Sequence, residues 1–176
     1  MNLDLFVLSF ALALAVAAAV LDVQQSRIPN WLTCPGMVFG IALRGLLLGW
    51  KGVSGALAGC LLAGGIFLLF YAVRAMGAGD VKLAAAIGSL VGTGQAIVTL
   101  LATAICGGVL AILYAVYCRR TGATMKNLGS VLRFHAWGGL HAHPELNLDN
   151  PAALRMPYGL AIAAGTLYAF LAVRWR

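Results

Sequence analysis

The sequence predicts an all-α, polytopic membrane protein, a bundle of six transmembrane helices. Three observations carry that prediction. The chain is 62% hydrophobic and only 10% charged over 176 residues, with a mean hydropathy of +0.93. A soluble fold of that size has too little interior to hide so much apolar surface. The apolar residues fall in long uninterrupted runs, and Lys and Arg gather between the runs, mostly on alternate sides. The net charge of +7 therefore reads as the basic bias of cytoplasmic loops, and no nucleic-acid surface is expected.

Five runs approach or reach the roughly 20 residues that a helix needs to cross a hydrocarbon core. They cover residues 3–21, 31–49, 53–73, 97–116 and 157–173. A sixth run, 81–91, reaches only about 17 Å as a helix. Charge decides its status. With all six crossing and the N-terminus outside, Arg27, Arg74, Lys82, Arg119, Arg120, Lys126, Arg133 and Arg155 lie inside. Lys51, Arg174 and Arg176 then lie outside, as the positive-inside rule requires. The short fourth span is expected to tilt or to thin the bilayer locally.

No Lys or Arg precedes the first run, so it is expected to be a retained span and not a cleavable signal. A single domain over 1–176 is expected, with one long cytoplasmic loop at about 118–156. In that loop Met125, Leu128, Val131 and Leu132 recur at helical spacing, which predicts an interfacial amphipathic helix. His135, His141 and His143, with Pro144 and Pro151 nearby, read as loop residues and not metal ligands. The cysteines, Cys34, Cys60, Cys106 and Cys118, form no C-x-x-C pair and read as small core residues. The pairs Gly36/Gly40, Gly45/Gly49, Gly55/Gly59 and Gly88/Gly92 predict close helix packing.

Two carboxylates stand out against this background. Asp22 ends the first run, and Asp80 closes Met76-Gly77-Ala78-Gly79-Asp80 ahead of the fourth. Spans two and three return the chain to the same side, so both aspartates belong to one membrane face. A carboxylate at membrane depth costs about 2.5–3.5 kcal/mol. Two carboxyls sharing a site resist double ionisation and hold one proton between them. The ionised member can deprotonate water while the protonated member polarises a peptide carbonyl. That chemistry needs no metal, cofactor or covalent intermediate.

The blander alternatives are that Asp80 is a helix N-cap and that Asp22 pairs with Arg27. Gly77 and Gly79 would permit positive φ or a close backbone approach. Lys82 would hold Asp80 ionised or snorkel to the interface. Ser54, in Gly52-Val53-Ser54-Gly55, would need a histidine base, and the histidines lie across the bilayer from it.

Three blocks together resemble the type IV prepilin peptidases, polytopic aspartic proteases with a G-x-G-D motif. They are Asp22 with Arg27-Ile28-Pro29-Asn30, then Gly77-Ala78-Gly79-Asp80-Val81-Lys82-Leu83, then Met156-Pro157-Tyr158-Gly159-Leu160-Ala161-Ile162. The resemblance implies that Asp22 and Asp80 are catalytic. It implies motif or substrate-binding roles for Gly77, Gly79, Lys82, Arg27, Pro29 and Asn30. Pro157, Tyr158 and Gly159 would line the site. It implies no cofactor and no metal.

The implied substrate is a prepilin or pilin-like precursor, its leader cut at the cytoplasmic face of the inner membrane in pilus biogenesis. Membrane lipids are the other expected partner. Larger members carry an extra segment with paired cysteines between the first two spans and also methylate the product. Here only residues 22–30 join those spans, which implies a peptidase without methyltransferase activity. The compact form resembles the enzymes of Flp (tight-adherence) pili, with archaeal preflagellin peptidases close by. The alternatives are a proton-coupled transporter and a non-catalytic pilus-assembly membrane protein.

Overall fold

The computed structural model describes residues 3–118, 122, 127, 129, 130, 133, 134 and 156–175. Its main helices are α1 (Leu3–Gln25), α2 (Asn30–Ala72), α3 (Ala78–Tyr117) and α4 (Gly159–Arg174). No strand occurs among the described residues, in keeping with the all-α expectation. Helices α1, α2 and α3 are each long and apolar enough to cross a membrane. Helix α4, with 16 residues, is apolar but shorter. Most of the expected interfacial helix and all three loop histidines lie outside the described residues. Asn127, Gly129, Ser130, Arg133 and Phe134 are helical.

Helix α2 holds 43 residues, about 65 Å if straight, twice a hydrocarbon core of about 30 Å. One glycine resolves the excess in each long helix. Gly49 takes φ 61° and ψ −144°, and Gly92 takes φ 72° and ψ 177°. A side chain is disfavoured at such φ, and glycine is not. The chain reverses at these points. A Cβ on Gly45 would lie 3.0 Å from Val53 Cγ2, and one on Gly52 would strike the Arg44 carbonyl. Residues eight apart on a straight helix would be about 12 Å apart. In α3, Gly88 and Ala96 line one small cavity, as do Ala84 and Thr103, so its two halves also run antiparallel.

These glycines correct part of the sequence expectation. Gly49 and Gly92 belong to pairs expected to serve packing, yet each is a reversal. Other members do pack. A Cβ on Gly59 would strike the Gly88 carbonyl, and one on Gly88 would strike the Gly59 carbonyl. Gly40 is closed off by Ser89 and Leu90. Nothing lies within 4 Å of a Cβ built on Gly49, so Gly49→Ala isolates the backbone conformation. It should destabilise the protein by about 1–2 kcal/mol, read from thermal unfolding in detergent.

The first half of α3 is the centre of the bundle, and every residue from Leu83 to Gly92 is buried. This gives the short fourth run a physical account different from tilt or bilayer thinning. A helix enclosed by its neighbours need not match the lipid thickness. Its far end is held by Arg44, whose Nη1 donates to the Leu90 carbonyl at 3.3 Å. A cation suits the negative end of a helix dipole. Asp4 lies within electrostatic reach of Arg44 and accepts from Gln95 Nε2 at 3.5 Å.

Five of the exposed aromatics lie toward the two ends. Trp31, Tyr71 and Tyr117 belong to the end that carries Asp22 and Asp80, while Trp50 and Trp175 belong to the opposite end. Such belts mark the two interfaces of a membrane helix bundle.

Candidate active site

Asp22 sits near the end of α1 and is buried. The helix closes with the Ser26 N–H donating to the Asp22 carbonyl at 2.8 Å. Ser26 has φ 51°, the left-handed conformation that often ends a helix. Beyond that turn Ile28 is buried, with its Cβ 3.0 Å from where a Cβ on Gly79 would stand. Gly79 is therefore small because Ile28 occupies the space, and the α1–α2 linker is seated against the start of α3. The expected positive φ is found at neither motif glycine: Gly77 has φ −81°, and the positive-φ glycines among the described residues are Gly49 and Gly92.

Asp80 occupies the first turn of α3 and is partly buried. Its Oδ2 accepts the Gly77 N–H at 3.1 Å. Gly77 is the N-cap and Asp80 stands three residues on, so Asp80 caps from inside the helix and is not itself the N-cap. Lys82 does not serve Asp80. Its Nζ donates to Asn30 Oδ1 at 2.8 Å, tying the start of α3 to the start of α2. Residues two apart on a helix face different ways. Pro29 is the N-cap of α2, and its carbonyl accepts the Leu32 and Thr33 N–H groups at 3.2 and 3.4 Å. Arg27 is exposed.

The third block closes the site. The Gly159 N–H donates to Asp22 Oδ2 at 2.9 Å in a buried bond. Asp22 thus finds its hydrogen-bond donor on α4, not at Arg27. A Cβ on Gly159 would stand 3.0 Å from Asp22 Oδ2 and 3.2 Å from Ala19 Cα. Pro157 leads into this turn, and its carbonyl accepts the Leu160 N–H at 3.3 Å. The Tyr158 ring meets Phe67 edge-on at 6.0 Å, and its hydroxyl faces Gly107. Tyr158 lies within electrostatic reach of Asp80, and Asp80 within that of Asp22. Segments more than 130 residues apart in the chain (Gly159 to Asp22, a separation of 137) meet at one end of the bundle.

Other candidates stay away from this centre. Ser54 Oγ donates to the Lys51 carbonyl at 3.1 Å, within its own turn. The cysteines are free thiols. Among the described residues no group of three or more His, Cys, Asp or Glu is placed to hold a metal. The sequence reading missed Arg44, which lies inside an apolar run, and the only signal was its rarity as a cation there.

The model of the type IV leader peptidase family matches residues 8–112. The chain belongs to that family. The match takes in Asp22, residues 27–30 and residues 77–83, and ends before the third block. No curated protein and no solved structure matches the chain. For a type IV leader peptidase, prepilins in general are the substrates, and its long apolar helices suit a multi-pass membrane protein.

Proposed function

We propose that this type IV leader peptidase is an aspartic endopeptidase in which Asp22 and Asp80 activate one water between them. The observation that carries the proposal is the convergence of three distant segments at one end of the bundle. Asp22 is bonded to Gly159, and Asp80 lies within its electrostatic reach. One carboxylate takes a proton from water. The other, protonated, polarises the scissile carbonyl, and the new oxygen–carbon bond gives a tetrahedral adduct. Its collapse returns a proton to the leaving amine.

The chain is further proposed to form six crossings, with Gly49 and Gly92 turning the two long helices back. Its N-terminus lies outside, and the aspartates lie toward the cytoplasmic face of the inner membrane. The substrate is an Flp-like prepilin, whose short leader is cut just before its apolar helix. The compact 22–30 linker carries no paired cysteines, which supports peptidase activity without methylation. Pro157, Tyr158, Gly159 and residues 77–80 would border the scissile segment.

A proton-coupled transporter needs polar groups linking the two ends. Three of the buried hydroxyls in between are bonded to their own helices, and Ser89 also donates to the Met37 carbonyl of α2 at 3.2 Å. Ser89 donates to the Ala86 carbonyl, Thr99 to Gln95 and Thr166 to Ile162, at 2.7, 2.8 and 2.8 Å. The purified chain mixed with an Flp-type prepilin should release the leader at a single junction, identified by mass spectrometry. An intact prepilin under conditions where the chain stays folded would overturn the proposal.

A further inference from the structure

Asp22 and Asp80 lie on separate helices, near the end of α1 and at the start of α3. Each carboxyl has its own backbone donor, Gly159 for Asp22 and Gly77 for Asp80. Neither bond ties one carboxyl to the other. A pair that shares one water has little tolerance. Both groups must stand within about 2.6–3.2 Å of that water, and an error of about 1 Å can cost on the order of 10²-fold in rate. Something has to fix the gap between the two helix ends.

The segment that joins α1 to α2 is placed to do so. Four residues after Asp22, Ser26 turns the chain with φ 51°. Ile28 is then buried. Its Cβ stands 3.0 Å, and its backbone N and O 3.4 Å, from a Cβ built on Gly79, the residue before Asp80. Two residues on, Asn30 Oδ1 accepts from Lys82 Nζ at 2.8 Å, and Lys82 is two residues past Asp80. Ile28 and Asn30 therefore meet α3 on both sides of Asp80 in the sequence. Lys82 is unlike an ordinary interfacial lysine, whose ammonium turns to water. It is half-buried, and its ammonium ends on a neutral amide of another helix. That amide carries no net charge to neutralise, so what the bond supplies is position.

We propose that Ile28, Asn30 and Lys82 form a strut that sets the separation of the two aspartates, with Asn30 and Lys82 as positioning residues. This deepens the proposed dyad and rests on it. The strut is short: six residues of chain from Asp22 to Ile28, then one packing contact beside Asp80. The hydrogen bond keeps the start of α3 from sliding or turning on that contact.

Lys82→Met keeps the stem and removes the donor, and Asn30→Leu keeps the shape and removes the acceptor. Each should lower kcat for prepilin cleavage at least ten-fold with KM within two-fold, in protein shown by gel filtration to be folded. The double variant should be no slower than the slower single variant, because both remove the same bond. Separation is read without catalysis in an Asp22→Cys/Asp80→Cys parent, by the rate at which a short bifunctional thiol reagent joins the two positions, with the joined peptides identified by mass spectrometry. Adding Lys82→Met or Asn30→Leu to that parent should slow the joining at least five-fold. Losses that multiply in the double variant, a change confined to KM, or joining at the parent rate would overturn the strut. Wild-type cleavage by Asp22→Ala overturns the dyad itself. So does a parent that is never joined although both thiols react with a small alkylating reagent.

Discussion

Asp80→Asn should cut prepilin cleavage by about 10³-fold or more, because an amide can neither donate the shared proton nor accept one in its place. The fold should survive. Asparagine has the same shape as aspartate, and its carbonyl oxygen can still accept the Gly77 N–H. Asp22→Asn should be equally severe, since the Gly159 N–H bond can persist while the carboxyl is lost. Initial rates on a co-expressed or purified prepilin measure both effects, with expression level and gel filtration confirming intact protein. Activity above about a tenth of wild type in either variant would remove that residue from the chemistry.

The largest stability effect should come from the contact between Gly59 and Gly88. Each glycine stands so close to the other that an added Cβ would meet its partner's backbone carbonyl. A side-chain end can rotate away, but a carbonyl cannot move without shifting a helix. Gly88→Val should therefore destabilise by about 3 kcal/mol or more, the upper range for overpacking. Because Gly88 lies on the buried stretch from Leu83 to Gly92 of α3, in the same helix as Asp80, activity should fall with stability. Gly65→Ala and Gly108→Ala provide the contrast. Neither has an atom within 4 Å of an added Cβ, so each should be neutral or gain up to about 1 kcal/mol from helix propensity. Thermal unfolding in one detergent separates the two classes.

Much of the architecture was legible because lipid imposes a coarse code. Long apolar runs must be helices, and the breaks between them must fall where the code is interrupted. The all-α class, the approximate ends of the runs and the placing of Asp22 and Asp80 at one end of the bundle follow from that. The reversals were not legible in the same way. Gly49 and Gly92 stand at the same spacing from neighbouring glycines as Gly59 and Gly88 do from theirs. Only the fold decides which glycine turns the chain and which admits a neighbour.

In the site, residue type identified the carboxylates, since so few acids occur in an apolar chain. Partnerships across elements did not follow from the sequence. Lys82 reaching Asn30, Ile28 filling the space beside Gly79 and the Gly159 N–H meeting Asp22 each depend on the packing of separate helices. Nor could the sequence place Arg44 over the Gly92 reversal, because a basic residue inside an apolar run says that it is buried or snorkels, not what it touches.

The central claim is that Asp22 and Asp80 work as one unit, and a double-mutant cycle on prepilin cleavage tests it most directly. Residues that share a single chemical step lose nearly everything at the first substitution. The Asp22→Asn/Asp80→Asn double variant should therefore be no slower than the slower of the two single variants. If instead each single variant loses only part of the rate and the losses multiply in the double variant, the two carboxyls act independently and the account is wrong.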